Sequence, residues 1–188
     1  MNVYDFDNTL YRGESGISMF FFYLKRRPWL VRYAPWVLAG FAQYKRRKVT
    51  IEEVARRYGW IIKIFLEGIQ DYQADAKRFW DTHEHRLRPF YKELHRPDDL
   101  IISASPEQSL QEVCRRLGVT RYIGTVINEE TSTLEFICFR ENKVKAFEER
   151  YPGERIDNFY TDSMNDKPLM DISEHVFLVG KKGMEQIK

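Results

Sequence analysis

Residues 2–10 read Asn2-Val3-Tyr4-Asp5-Phe6-Asp7-Asn8-Thr9-Leu10. A short β-prone run ends in two acids, and Asn8-Thr9 follows as a turn signal. A strand that delivers two carboxylates into a turn sets them where open parallel sheets bind ligands, beyond the strand's carboxyl end. Two later stretches repeat the form. Leu100-Ile101-Ile102 is a fully apolar strand of the kind buried in a parallel sheet, and Ser103-Ala104-Ser105-Pro106 is its turn. Residues 156–160 form another strand, followed by Thr161-Asp162-Ser163. Three strands therefore end in polar clusters: Asp5 with Asp7, Ser103 with Ser105, and Asp162 with Asp166.

Between and beyond these strands the chain alternates β and α. Pro106 suits the first turn of a helix to about residue 117, which Gly118 ends. Residues 122–127 read as a strand, 131–139 as part of a small hairpin, 143–150 as a helix and 175–179 as a last strand ended by Gly180. Residues 12–88 differ in character, being rich in aromatics, Arg and Lys and spaced as helices. Ile17, Phe20, Phe21 and Leu24 fit one helix face. Pro28 and Pro35 break the next stretch into short helices. Thr50 with Glu53 is a capping-box start for a helix to about residue 66, with Gly68 as its stop. A further helix spans about 71–85.

The composition bounds the function. The chain has 188 residues, 43% hydrophobic and 31% charged, enough for one core domain with an insertion. Lys and Arg total 30 against 28 Asp and Glu, so bulk charge gives no reason to expect a nucleic-acid partner. Cys114 and Cys138 are too few for a disulfide framework and point to free thiols in a reducing compartment such as the cytoplasm. Asp5 and Asp7 occupy the place of a signal peptide's apolar region. No apolar run is long enough to suggest a spanning helix.

The acids carry the chemistry. Two carboxylates at a strand exit can divide into nucleophile and proton donor if their surroundings differ. Asp162 and Asp166 add to the crowding, which a hard cation with oxygen ligands relieves, Mg²⁺ above all. Lys143 can supply further positive charge. Ser103 offers a hydroxyl beside a helix start, a ready anion site. Two acids, a cation, a hydroxyl and a lysine suit phosphoryl transfer.

In this the sequence resembles the haloacid dehalogenase (HAD) superfamily. The likeness rests on Asp5-Phe6-Asp7-Asn8-Thr9-Leu10, Ile101-Ile102-Ser103-Ala104-Ser105, Asn142-Lys143-Val144 and Tyr160-Thr161-Asp162-Ser163-Met164-Asn165-Asp166, in that order. It implies an α/β fold, a Rossmann-like parallel five-stranded sheet in the order 5-4-1-2-3 flanked by helices, with an inserted all-helical cap. It implies a Mg²⁺-dependent phosphatase acting on a small phosphorylated substrate. Asp5 is then the nucleophile that forms an aspartyl-phosphate, and Asp7 the acid that protonates the leaving group and later activates water. Mg²⁺ is expected on the Asp5 carboxylate, the Asp7 main-chain carbonyl and Asp162. Asp166 is expected on the metal directly or through water, or else paired with Lys143. Ser103 is expected to hydrogen-bond the phosphoryl group, with Thr9 and Ala104 beside it, and Lys143 to balance charge, with Lys145 as the alternative. Ser105 reads as a helix cap.

The 98-residue span from Asp5 to Ser103 leaves room for the cap, so residues 1–11 and 89–188 form the expected core and 12–88 the cap. The arrangement resembles the phosphoserine phosphatase-like branch (subfamily IB), in which an acid nine positions after the nucleophile faces the substrate amine; Glu14 stands there. Arg56 and Arg57 are candidates for that branch's substrate arginine. Residues 17–51 carry eight Lys or Arg and no acid, interleaved with Phe, Trp and Tyr. Such a stretch suits an anionic membrane surface, and it loosely resembles bacterial phosphatidylglycerophosphate phosphatases with HAD cores. The plainer alternative is an amphipathic cap packed on itself with a solvated basic face. A third reading is a catalytically silent binding module with the same fold.

Overall fold

The computed structural model describes residues 1–45, 53, 57, 59–61, 63–64, 71–128, 130–131, 133–181 and 183–188. The helix expected over 50–66, its stop at Gly68, and Arg46, Arg47, Lys48 and Arg56 lie outside the described residues, apart from single positions such as Glu53 and Arg57.

Strand β1 (Asn2–Tyr4) lies at the centre of the sheet. On one side it pairs parallel with β2 (Leu100–Pro106), which pairs parallel with β3 (Arg121–Ile127). On the other it pairs parallel with β5 (Ile156–Thr161), and β5 with β6 (Ser173–Val179). These five strands run in the order expected from the sequence. Two short antiparallel strands widen the sheet to seven, β4 (Leu134–Phe136) outside β3 and β7 (Met184–Gln186) outside β6. β4 is the hairpin that the sequence indicated. β7 was not expected; all three of its residues are exposed, so it carries no alternating pattern.

The central strands are buried on both faces, as parallel strands under helices must be. Val3, Leu100, Ile102 and Phe159 enter one apolar cluster, whereas Tyr4, Ile101 and Tyr160 enter the other. This is the two-residue alternation of a strand, with apolar residues at both phases. The cluster around Tyr4 and Tyr160 is the larger, and it is aromatic. The Tyr4 ring stacks on Tyr160 with centroids 4.6 Å apart, and Tyr160 stacks on Phe177 at 4.8 Å.

That cluster continues into the helices inserted between β1 and β2. Helix α1 (Ser15–Arg26) buries Ser15, Met19, Phe20 and Tyr23. The face expected from spacing is therefore rotated, and Phe21 points to solvent at 47% exposure. The run Ile17 to Leu24 is apolar nearly all round, so spacing alone fixes no unique inner face. A 3₁₀ segment (Pro28–Tyr33) leads into α2 (Ala34–Lys45), where Pro35 falls in the first turn and does not break the helix. Helix α3 (Tyr72–His83) starts on Asp71, whose side chain accepts a hydrogen bond from the Ala74 amide at 2.9 Å. Its Trp80 meets Phe6 and Tyr11 edge-on, with centroids 5.8 and 5.5 Å apart. After α4 (Phe90–Leu94) and β2 comes α5 (Glu107–Leu117), closed by Gly118 in the left-handed conformation at φ 74°. Arg116 of α5 holds the end of α3, reaching Asp81 at 2.7 Å and Glu84 at 2.9 Å while also pairing with Glu112 at 2.7 Å. Helices α6 (Glu141–Arg150) and α7 (Lys167–Asp171) complete the second face. Among the described residues, no helix is long and apolar enough to cross a membrane.

One close approach shapes the site. The β2–β3 register shifts between Ile102 and Pro106, and Gly124 of β3 lies under the irregular stretch. A Cβ at Gly124 would stand 2.6 Å from the Ser105 carbonyl oxygen and 2.9 Å from the Glu107 nitrogen. Only glycine allows the two strands this near.

Candidate active site

The three polar clusters are brought together at the carboxyl ends of β1, β2 and β5. Asp5 follows directly on β1, held by its amide donating to the Tyr160 carbonyl at 2.9 Å. It is buried, and its Oδ1 accepts from the Lys143 ammonium at 2.8 Å. Lys143 is buried too and reaches Asp166 Oδ1 at the same 2.8 Å. The other Asp166 oxygen accepts from the Thr161 hydroxyl at 2.8 Å. Lys143 thus lies between two carboxylates from opposite ends of the chain. Lys145 is exposed on the far side of α6, so Lys143 is the lysine of the site.

Burial pushes the Asp5 carboxyl up to about 8. Lys143 works against the rise, while Asp166 and Asp162 add to it. Burial alone would lower the Lys143 ammonium, but the Asp166 and Asp5 carboxylates outweigh it and hold the group above its ordinary value. The cluster holds more negative than positive charge, and Asp5 feels the excess.

Asp7 has different company. Its Oδ1 accepts from the Ser15 amide at 2.6 Å and its Oδ2 from the Ser105 hydroxyl at 2.7 Å. The Ser15 and Ser105 hydroxyls share a further hydrogen bond of 3.1 Å. Burial raises the Asp7 carboxyl, and the hydrogen bonds from Ser15 and Ser105 oppose it only in part. Among the described residues no cation touches it, so a proton is retained on Asp7 more readily than on an exposed acid.

The remaining expected residues are close by. Ser103 is buried and its Oγ accepts from the Ser105 amide at 3.0 Å, which leaves its own hydrogen to donate elsewhere. The Thr9 hydroxyl donates to Asp5 Oδ2 at 3.2 Å. Ala104 is exposed at the rim, and its carbonyl accepts from Thr125 at 2.7 Å. Glu14 stands just before α1, its Oε1 accepting from the Asn8 side-chain amide at 2.9 Å, and its charge is felt at Asp7. Arg57, one of the two arginine candidates, is on the surface and donates to Gln43 at 3.2 Å.

Three contributors were not visible in the sequence as site residues. Ser105 does not cap α5, which begins on Pro106 without a side-chain cap; its hydroxyl holds Asp7 instead. Ser15, the first residue of α1, holds the same carboxylate from the inserted helices. Arg88 clamps the rim, donating from Nη2 to the Asn8 carbonyl at 3.2 Å and from Nη1 to the Gly180 carbonyl at 3.0 Å. Asn8 is in the left-handed region at φ 61°, a conformation that asparagine tolerates better than most residues. The pairing of Thr161 with Asp166 is signalled only by the position of Thr161 before Asp162.

The donors suit a hard cation. Asp5 and Asp166 are two buried carboxylates that share the Lys143 ammonium, the charge of Asp162 is felt at Asp5, and every candidate ligand is oxygen. Among the described residues, no three His, Cys, Asp or Glu side chains form a ready-made cage. Both Asp166 oxygens and both Asp7 side-chain oxygens already accept hydrogen bonds. Each Asp5 oxygen accepts one hydrogen bond as well, from Lys143 and from Thr9, and a carboxylate oxygen with one such bond keeps a lone pair for a cation.

The comparisons with known proteins agree with this fold. The family model for haloacid dehalogenase-like hydrolases matches residues 3–171. A protein with unknown function from Bordetella pertussis Tohama I has a similar structure, with a TM-score of 0.74 at 20% identity over 94% of this chain and 87% of that one. A phosphoserine phosphohydrolase-like protein from Francisella tularensis gives a TM-score of 0.60 at 15% identity, covering 94% of this chain and 86% of its own. A HAD family hydrolase from Salmonella enterica serovar Typhi gives 0.60 at 15% identity, covering 92% and 59%. At such identities these likenesses speak for the fold. No curated protein matches the chain. The family match spans all the strand ends that carry the acids, and on that basis the chain belongs to the haloacid dehalogenase-like hydrolases.

Proposed function

We propose that the protein is a Mg²⁺-dependent phosphatase that hydrolyses a phosphomonoester through an aspartyl-phosphate on Asp5. One observation carries the reading: two carboxylates at one strand exit, Asp5 buried and Asp7 half-buried, have opposite neighbours. Asp5 meets an ammonium at 2.8 Å, whereas among the described residues Asp7 meets neutral donors, the Ser15 amide and the Ser105 hydroxyl. Such a split separates nucleophile from proton donor.

In the forward half, an Asp5 oxygen bonds to phosphorus as the ester P–O bond breaks. The electron pair leaves on the substrate oxygen, and Asp7 gives that oxygen its proton. Ser103 donates its free hydrogen to a phosphoryl oxygen, with Thr9 and the rim at Ala104 beside it. In the return half, Asp7 takes a proton from water while the water oxygen bonds to phosphorus. The bond from phosphorus to Asp5 breaks, and phosphate departs. Lys143 stays protonated throughout and orients Asp5. Mg²⁺ would be held by Asp5, Asp162 and the Asp7 main-chain carbonyl, and when bound it supplies the positive charge that keeps Asp5 ionised and draws charge from the phosphoryl oxygens.

Residues 12–88 act in this proposal as a cap on a core of 1–11 and 89–188, excluding water while the acyl phosphate exists. Glu14, beside Asp7, is placed to meet a cationic group of a small phosphorylated substrate. A reducing compartment suits the two buried free thiols.

The test is turnover of an aryl phosphate by the purified chain with Mg²⁺. Chelation and Asp5→Asn should each abolish it, the latter with circular dichroism unchanged. Full activity in Asp5→Asn would place the nucleophile elsewhere. A folded wild type inactive with Mg²⁺, Mn²⁺ and Co²⁺ would favour a silent binding module.

A further inference from the structure

The inserted helices leave an apolar surface uncovered. Trp29, Trp36 and Trp60 are 44%, 47% and 45% exposed, and Val31 and Leu38 are exposed beside them. The three tryptophans are contiguous: the ring of Tyr33 lies 6.2 Å from Trp29, 6.4 Å from Trp36 and 5.8 Å from Trp60, and Trp36 lies 6.3 Å from Trp60. Helix α2 has no charged residue from Ala34 to Gln43, and from Ala34 to Ala39 none of its side chains is buried. A helix without a polar face normally lies inside a core or against lipid, and an exposed patch of this kind marks an interaction site.

The charge around the patch selects the partner. Residues 17–51 carry eight Lys or Arg and no acid. Of these, Lys25, Arg26 and Arg32 are exposed, and Arg32 stands over the Trp29 ring at 5.9 Å. We infer that this face docks on an anionic bilayer, with the tryptophans at headgroup depth and the arginines and lysines on lipid phosphates. Tryptophan favours that depth because its ring is apolar and its N–H polar. Basic residues beside it gain from the surface potential of anionic lipids. A second copy of the chain fits less well, because a two-fold interface sets the same basic patch against itself. Helix α1 joins the face to the site, since its first residue, Ser15, holds Asp7 and its last turn carries Lys25 and Arg26. Twelve helical residues separate the two ends by about 18 Å. The docking rests on this surface alone and does not require the phosphatase reading.

The full chain should co-sediment with vesicles of phosphatidylcholine mixed with phosphatidylglycerol and not with phosphatidylcholine alone. Half-molar salt should release it. Its tryptophan emission should shift to the blue on binding. Lys25→Glu with Arg32→Glu should weaken the partition at least about tenfold. Trp29→Ser with Trp36→Ser should weaken it and remove most of the emission shift. Both pairs should keep wild-type turnover of a soluble aryl phosphate if the chain is a phosphatase, and wild-type circular dichroism in any case. Folded protein that ignores anionic vesicles at low salt overturns the proposal. So does a dimer in light scattering that the tryptophan substitutions dissolve while vesicle binding is absent.

Discussion

Two regions of the molecule invert the usual distribution of residues, in opposite senses. At the ends of β1, β2 and β5, charge is inside: Asp5, Lys143 and Asp166 are all buried. Around α2, apolar surface is outside, with Trp29, Trp36 and Trp60 nearly half exposed. The buried charges are each answered at hydrogen-bond distance, whereas the exposed rings lean on one another, on Tyr33 and, at Trp29, on Arg32, and keep nearly half their surface open. The first inversion is therefore a finished device, held rigid by its own pairs, and the second is a surface that still lacks its counterpart. A buried charge must be satisfied within the fold, but an exposed apolar group leaves the fold stable and waits for a partner.

Substitutions can break this contrast. Lys143→Met should have the largest effect, because it strands two buried carboxylates. A loss of about 3–5 kcal/mol in urea unfolding is expected for a broken buried pair, together with loss of turnover. A variant as stable as the parent would show that Asp5 and Asp166 do not depend on the lysine. Two tryptophans make the next comparison. Trp80 is 1% exposed in the aromatic cluster, and Trp80→Ala should cost about 3–5 kcal/mol. Trp36→Ala, by the same measurement, should stay within about 0.5 kcal/mol. Equal losses would mean that the α2 face is core after all.

Ser105→Ala removes one of the two donors to the Asp7 carboxylate. Turnover should fall about tenfold to a hundredfold with an alkyl phosphate and less with an aryl phosphate, whose leaving oxygen needs less help from an acid. A uniform fall across leaving groups would detach Ser105 from proton transfer. The smallest effect concerns the contact between α3 and α5. Arg115 and Arg116 hold the Glu112 carboxyl at about 2, below its ordinary 4.5. A depressed folded value gives stability that is complete above the ordinary value and is lost as pH falls toward about 2. Glu112→Gln should thus lower stability by about 1–2 kcal/mol at neutral pH and flatten the acid limb between those two values. An unchanged acid limb would mean that the carboxylate is solvated.

The parallel core was legible because its strands carry short apolar runs, fully apolar at Leu100-Ile101-Ile102, and three of them end in polar clusters. Asp5, Asp7, Ser103, Lys143, Asp162 and Asp166 come from four separate stretches, and resemblance to one family joined them where spacing alone could not. What escaped was carried by neighbours and not by pattern. Ser105 looks like any serine before a helix, and its hydroxyl turns to Asp7 only because the β2 turn is irregular. Ser15 contributes a main-chain amide, which leaves no mark in a sequence, and its hydroxyl meets Ser105 from far along the chain. β7 pairs through backbone groups and presents no apolar side. The inner face of α1 could not be read from a run that is apolar all round.

The glycine at 124 has a reach beyond its own strand. β3 supplies none of the groups that hold Asp5 or Asp7, yet the missing methyl there decides how far the Ser105 segment can settle toward its neighbour. The orientation of the Ser105 hydroxyl is thus set from behind: a single hydrogen atom in an adjacent strand governs where this partner of Asp7 can stand, and the setting is written in a residue that has no side chain of its own.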